Sequence, residues 1–502
     1  VVTVALGGVA VVMCSMFFNP LLSTIGDNAQ YIVLGKSLLA GKGLSHINAP
    51  SEKPDTKYPF MFPLILAAVL AVAPDNFAAL KMVSIVACVG AALLYFPVFR
   101  RVAGAGVAAG AALLAVLSPD ILRHSSQVLA EVPYLCVSFV TLWWVVVGSE
   151  RWPERRWVPV ALALVVVAYY LKAVGATLAG AVFLWLLLRR RWAWALGFLG
   201  GFVLLVLPWM IRSQRLGPGG TYVSYLLLRD PYRAHKGMVS LSELVQRIGS
   251  NVKIYFTTIV PNALMPFAAV ETPGKVLAAL WTAVSVLVLA GLIYRLWVRR
   301  SVVDLYLLLF LGVCALWPRV WAAVRFIIPV IPLLLFCLLT GLWILLDPLD
   351  RRWGAGVRRG ILVGVTAVMA LGFVLADRVE AAREREYLPD WQSYFAAAEW
   401  AKENTPPESV FICRKPYLFF LRSGRRAVGY RFLDDPEEVI AGIDEVGGTY
   451  VVVDQFQWTG TSYLYLVPAL VSQPERFPVV FVTEQEPMTV VARVLRAGEG
   501  KP

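Results

Sequence analysis

The chain has 502 residues, 59% of them hydrophobic and 16% charged, with a formal net charge of +13. Soluble domains average about 45–50% apolar and about 25% charged residues, so the composition excludes a single water-soluble core and indicates a polytopic α-helical membrane protein. A partner nucleic acid is excluded too, because much of the arginine sits in short clusters between apolar runs, where it orients a membrane protein.

In chain order, the first apolar run is 1–22. It lacks a small-residue cleavage site and reads as a retained helix, not a signal peptide. Compact basic clusters follow at Arg100-Arg101, Arg151/Arg155/Arg156, Arg189-Arg190-Arg191, Arg295/Arg299/Arg300 and Arg351/Arg352/Arg358/Arg359. The positive-inside rule places them all in the cytoplasm, so an even number of crossings must separate neighbouring clusters. The apolar runs satisfy this: 102–117 with 134–147; two short spans meeting at Lys172; 192–211 with 276–294; 302–317 with 322–346; and a last span at 361–375. Between the first span and Arg100, however, two full crossings would leave Arg100 on the wrong side. Segment 59–74, short and bounded by prolines, is therefore expected to be re-entrant or juxtamembrane. The expected sum is about eleven crossings, with the N-terminus inside and the C-terminus outside.

Residues 1–380 are thus expected to form a membrane domain with outer loops 23–58, 118–133 and 212–275, and 387–502 a small extracytoplasmic α/β domain. In that tail, 409–413, 449–453, 479–483 and 488–494 are strand-like, Pro436–Glu445 and Ser462–Ser472 are helical, and a helix ends at Pro406-Pro407. Six cysteines form no CxxC pattern, and three histidines show no metal-ligand spacing.

This topology collects polar residues on the outer face. The first loop offers Asp27, Tyr31, Lys57 and Tyr58, and the second offers His124 and Glu131. Lys172 sits at a turn, and Arg325 lies inside an apolar run. The long loop supplies Arg212, Tyr225, Tyr232, Arg233 and His235. Lysine and arginine at a membrane surface suit a lipid phosphate. A carboxylate there can take a proton from a hydroxyl nucleophile. Each has a plainer reading. Asp27 suits a helix N-cap, Glu131 a first-turn acid and Lys57 a snorkelling cation, while tyrosines at span ends belong to the interface belt. The cost of charge in a membrane weighs toward function for Arg325 and Lys172.

The order of these elements resembles the GT-C class of integral membrane glycosyltransferases. The likeness is strongest to the branch with protein O-mannosyltransferases and the aminoarabinose transferase of lipid A. It rests on Gly26-Asp27-Asn28-Ala29-Gln30-Tyr31 after the first span, Lys57-Tyr58-Pro59 entering an apolar helix, Ser118-Pro119 and Glu131-Val132-Pro133 bounding the second loop, and Arg325-Phe326-Ile327-Ile328-Pro329 with Pro332. Two departures stand out: Asn28 follows Asp27 where protein mannosyltransferases carry Glu, and Thr56 precedes Lys57 where the aminoarabinose enzyme has an acid.

The resemblance implies a polyprenyl-phosphate-linked sugar donor, a lipid or protein acceptor, and an inverting transfer at the outer face of a bacterial cytoplasmic membrane. It implies Asp27 as general base, with Glu131 positioning the acceptor or stabilising charge on the sugar. Lys57 and Arg325 would bind the donor phosphate, helped by Lys172 and Arg212; Tyr58, Tyr31 and His124 would line the substrate. No cofactor is required, although a divalent metal would suit an oligosaccharyltransferase-like mechanism. A transporter or flippase of lipid-linked saccharides, or a non-catalytic envelope assembly protein, would share the cations and the outer domain.

Overall fold

The computed structural model describes all residues except 218–221, 232–235, 271–272, 355, 384–385 and 497–502. Tyr232, Arg233 and His235 of the long loop thus lie outside the described residues. The chain divides into two units. One comprises Val1–Asn19, Thr56–Phe62 and Ala78–Arg383; the other comprises Pro20–Asp55, Pro63–Phe77 and Glu384–Pro502.

The first unit is helical. Among the described residues, six helices are long and apolar enough to cross a membrane: Phe77–Val102, Glu131–Arg151, Trp192–Leu216, Lys275–Val298, Val324–Trp353 and Val357–Arg378. Ala105–Val116 and Pro119–Ser125, bent by 47°, make a seventh if taken as one span. The chain is a multi-pass membrane protein by this measure, with fewer full-length spans than the roughly eleven crossings expected from the arginine clusters. The difference lies in Val2–Phe17, Glu154–Leu171, Ala173–Leu188 and Val302–Leu316. Helices of 15–16 residues cover about 22–24 Å, short of a hydrocarbon core of about 30 Å. Glu154–Leu171 opens on Glu154, Arg155 and Arg156, which shorten its apolar part. Segment 59–74 forms the helix Met61–Val72, whose 12 residues are too few to cross alone. Segment 212–275, expected as a loop, holds the end of Trp192–Leu216 and the helices Tyr222–Leu227 and Leu241–Ile254, the latter opened by a Ser240/Glu243 capping box.

Two glycines set the closest helix packing in this unit. A Cβ on Gly291 would lie 2.0 Å from the Cys337 carbonyl oxygen, and one on Gly341 2.1 Å from that of Leu287. Only glycine lets the backbones of Lys275–Val298 and Ile331–Leu345 meet this closely, the usual device for helices with no hydrophobic force between them in lipid. One arginine of the basic clusters is not solvated: Arg295 is 1% exposed, and its Nε donates to Asp304 Oδ1 at 2.6 Å. Asp304 also accepts from Ser301 Oγ at 2.6 Å, so the pair is held at a helix start.

The second unit is built on a five-stranded mixed sheet. Its strands are β1 (Val410–Ile412), β2 (Arg426–Val428), β3 (Tyr450–Val453), β4 (Val479–Val482) and β5 (Val490–Arg493). Their order is β2-β1-β3-β5-β4, with β1 parallel to both β2 and β3 and the rest antiparallel. β-Branched residues supply most of these strands, as their fit to a pleated surface favours. Helix Pro436–Glu445 starts where Asp435 accepts from the Glu437 N–H at 2.9 Å. It buries Val439, Ile440 and Ile443 against Ile412, Val451 and Ala492. The first loop joins this unit through the edge of β2: Ala427 donates its N–H to the Asn48 carbonyl at 2.6 Å, and Asn48 Nδ2 donates back to the Ala427 carbonyl at 2.9 Å. Tyr387 anchors the same region by donating to the Leu22 carbonyl at 2.9 Å.

Candidate functional site

In the first unit, Glu131 begins the helix Glu131–Arg151 and is fully buried. Its Oε1 accepts from Lys172 Nζ at 2.8 Å and from Arg325 Nε at 2.7 Å. Oε2 has no hydrogen-bond partner among the described residues. The local backbone explains how three distant residues meet. Lys172 stands in an extended conformation between the helix Glu154–Leu171 and the turn Ala173–Gly175. Gly175 permits that turn, since a Cβ there would lie 2.6 Å from the Tyr169 nitrogen. Arg325 lies on the four-residue helix Val324–Ile327, followed by the turn Ile328–Val330 with Pro329. One carboxylate oxygen thus faces two cations. His124 is buried, with Nδ1 2.7 Å from the Asp120 carbonyl oxygen, and Glu131, Arg325 and Arg123 act on it electrostatically.

Lys57 and Tyr58 also belong to this unit. Lys57 Nζ is 3.1 Å from the Tyr58 hydroxyl and lies over three rings: Tyr58 at 4.7 Å, Trp321 at 5.6 Å and Tyr225 at 5.9 Å. An ammonium over aromatic faces is attracted by the ring quadrupoles. The aromatic group continues through Tyr225–Trp321, Trp317–Trp321 and Trp317–Phe326 contacts with centroids 5.6–6.1 Å apart. The Arg212 guanidinium sits 4.8 Å from the Trp209 ring centroid.

In the second unit, Asp27 is the second residue of the helix Gly26–Leu39. It does not hold the cap position, which belongs to Ile25, and no side-chain cap hydrogen bond is made there. Tyr31, one turn on, is buried. The residue brought alongside Asp27 is one that the sequence reading missed, Lys415. A Cβ on Gly26 would lie 3.8 Å from Lys415 Nζ, and Asp27 acts electrostatically on that ammonium. Burial and the neighbouring Arg414 push Lys415 down to about 8, against the opposing pull of Asp27 and Asp454. The available signal was Arg414-Lys415-Pro416, a pair of cations directly after a strand-like run. Among the described residues, no group of three or more His, Cys, Asp or Glu is placed to hold a metal ion.

No protein-family profile and no curated protein matches the chain. Solved structures do. An archaeal oligosaccharyltransferase, AglB from Archaeoglobus fulgidus, in complex with an inhibitory peptide and a dolichol-phosphate, is 13% identical over 96% of this chain and 73% of its own, with a TM-score of 0.58. ArnT from Cupriavidus metallidurans, bound to undecaprenyl phosphate, is 15% identical over 99% of both chains, again at 0.58. The arabinofuranosyltransferase AftD from Mycobacteria is 13% identical over 99% of this chain and 41% of its own, at 0.51. Identities this low speak for architecture alone, and the chain has the fold of the GT-C glycosyltransferases.

Proposed function

We propose that this protein is a membrane glycosyltransferase that moves a sugar from a polyprenyl-phosphate donor to a lipid or protein acceptor at the outer face of a bacterial cytoplasmic membrane. The observation that carries the reading is the buried Glu131 cluster, in which two cations face one carboxylate, on a GT-C fold. A part-buried arginine and lysine that converge on one point make a setting suited to an oxyanion. A donor phosphate is such an anion, and Lys57 in its aromatic surround supplies another cation of the same type. AglB and ArnT are seen with a dolichol-phosphate and undecaprenyl phosphate, respectively, which supports the donor class.

In the reaction, the acceptor hydroxyl oxygen attacks the anomeric carbon and loses its proton to the Asp27 carboxylate. The bond from the anomeric carbon to the phosphate oxygen breaks, and the electron pair leaves with polyprenyl phosphate. Displacement inverts the anomeric centre. Lys57, Arg325 and Lys172 stabilise the leaving phosphate, with Arg212 in a lesser role, so a metal is not required in principle. Glu131 holds Lys172 and Arg325 in place and opposes positive charge developing on the sugar. Tyr31, Tyr58 and His124 shape the substrate surface. Residues 1–380 serve as the catalytic membrane domain, and 387–502 as its extracytoplasmic companion.

Purified protein in liposomes loaded with a labelled polyprenyl-phosphate sugar tests the reading. Label appearing on an acceptor, with free polyprenyl phosphate formed in equal amount, is the expected result. Label that changes leaflet but stays on the lipid would make the protein a flippase instead.

A further inference from the structure

The carboxyl ends of the parallel strands β1 and β3 carry polar groups that the reaction above does not use. Arg414 and Lys415 follow β1 within three residues, and Asp454 follows β3 directly. In open α/β sheets, ligands bind at this edge, where the chain leaves neighbouring strands in different directions. Here β1 lies between β2 and β3, and the connections after it run first to one side and then to the other.

Both cations are held by aromatic rings, not by acids. Lys415 Nζ lies 4.4 Å from the Trp458 ring centroid. The Arg414 guanidinium lies 5.1 Å from that of Trp458 and 5.0 Å from that of Phe432. Both rings are well exposed, at 48% for Trp458 and 41% for Phe432. Arg414 Nε donates to Thr461 Oγ1 at 2.8 Å, and Tyr430 donates to the same oxygen at 3.2 Å. Neither Arg414 nor Lys415 is in an ion pair with any described residue. The acid that ends β3 is turned inward: Asp454 is 1% exposed, accepts from Ser462 Oγ at 2.8 Å, and leaves Oδ1 without a hydrogen-bond partner among the described residues. Burial raises the Asp454 carboxyl from its ordinary value. Two oriented, half-buried cations outside any ion pair among the described residues, beside exposed aromatic faces, form a receptor for an anionic saccharide.

We propose that Arg414 and Lys415, set on Trp458 and Phe432, form a binding site in the second unit for an oxyanion-bearing saccharide, either a sugar phosphate or a sugar carboxylate. Because Lys415 lies beside Asp27, the bound saccharide would be the acceptor. That last step rests on the glycosyltransferase reading; the binding site itself does not. A cation pair grips the charged group, and the ring faces cover the sugar.

Binding to the full-length protein can be followed through tryptophan fluorescence with glucose 1-phosphate, glucuronate and glucose as probes. A charged probe should bind at least tenfold more tightly than glucose. Arg414→Met with Lys415→Met should bring it to the glucose level, with the thermal midpoint of the variant confirming that it is folded. Lys415→Gln alone, which keeps the Arg414–Thr461 bond, should give an intermediate loss and serves if the double variant does not fold. Preference for glucose 1-phosphate assigns phosphate to the site, and preference for glucuronate assigns carboxylate. Asp27→Asn should bind the charged probe at least as tightly as the parent, since it removes a nearby negative charge; this holds whether or not the protein transfers sugar. Equal binding of all three probes, or undiminished binding in the folded double and single variants, would overturn the proposal.

Discussion

At the residue scale, the account turns on carboxylates with different surroundings. Glu131 is sealed between Lys172 and Arg325, so its first effect is to hold those cations together. Removing its charge takes a counter-charge from two part-buried cations; breaking a fully buried pair costs about 3–5 kcal/mol, and the partial exposure of Lys172 and Arg325 lowers that figure. Glu131→Gln should therefore lower the thermal midpoint clearly, and adding Lys172→Met should recover part of the loss. A Glu131→Gln protein that melts with the parent would show that the cluster contributes little. Lys415 gives a pH test. Its folded-state value, about 8, lies below the ordinary 10.5. Between those values the unfolded chain binds more protons, so this group's destabilising effect is complete below about 8 and is relieved as pH rises toward 10.5. Melting of the parent should accordingly gain on that of Lys415→Met from pH 8 toward pH 10.5. A constant difference between the two would count against a depressed Lys415.

At the element scale, the helices Lys275–Val298 and Ile331–Leu345 meet through Gly291 and Gly341. Gly341→Leu should separate them and sharply reduce the yield of folded protein in detergent; Gly312→Leu, where a Cβ meets nothing within 4 Å, should be tolerated. Size-exclusion profiles of the two variants would decide. Elements also show what the sequence could reveal. The tail strands β1, β3, β4 and β5 and the helix Pro436–Glu445 were readable because each is a continuous apolar or capped pattern. Strand β2 was not: Arg426-Ala427-Val428 has no apolar run, and only its pairing with β1 and Asn48 makes it a strand. Full-length spans among the described residues number fewer than the roughly eleven expected crossings because arginine parity speaks to sides, not helix lengths; Val302–Leu316, for one, is a shorter apolar helix. The candidate residues Glu131, Lys172 and Arg325 were visible singly as polar groups near spans. The break at Lys172 was legible as an interruption of the apolar run, but the short helix carrying Arg325 and the meeting of all three at one oxygen were not. Lys415 was missed for the same reason: 388 residues separate it from Asp27, and only the fold brings them together.

At the scale of the whole molecule, a GT-C fold carries a buried cation cluster in one unit and Asp27 with Lys415 in the other. The proposed sidedness predicts that a cysteine placed at exposed Glu408 reacts with an impermeant maleimide on intact cells, whereas one at exposed Arg190 reacts only after lysis. The central claim is sugar transfer from a polyprenyl-phosphate donor with Asp27 as base. Its most direct test is the release of polyprenyl phosphate by purified parent and Asp27→Asn proteins, supplied with a polyprenyl-phosphate sugar and a host membrane extract as the acceptor pool. The account predicts release by the parent and at least a hundredfold less by a folded Asp27→Asn protein, a loss in the range set by removing a general base. Equal release by the two proteins would contradict it.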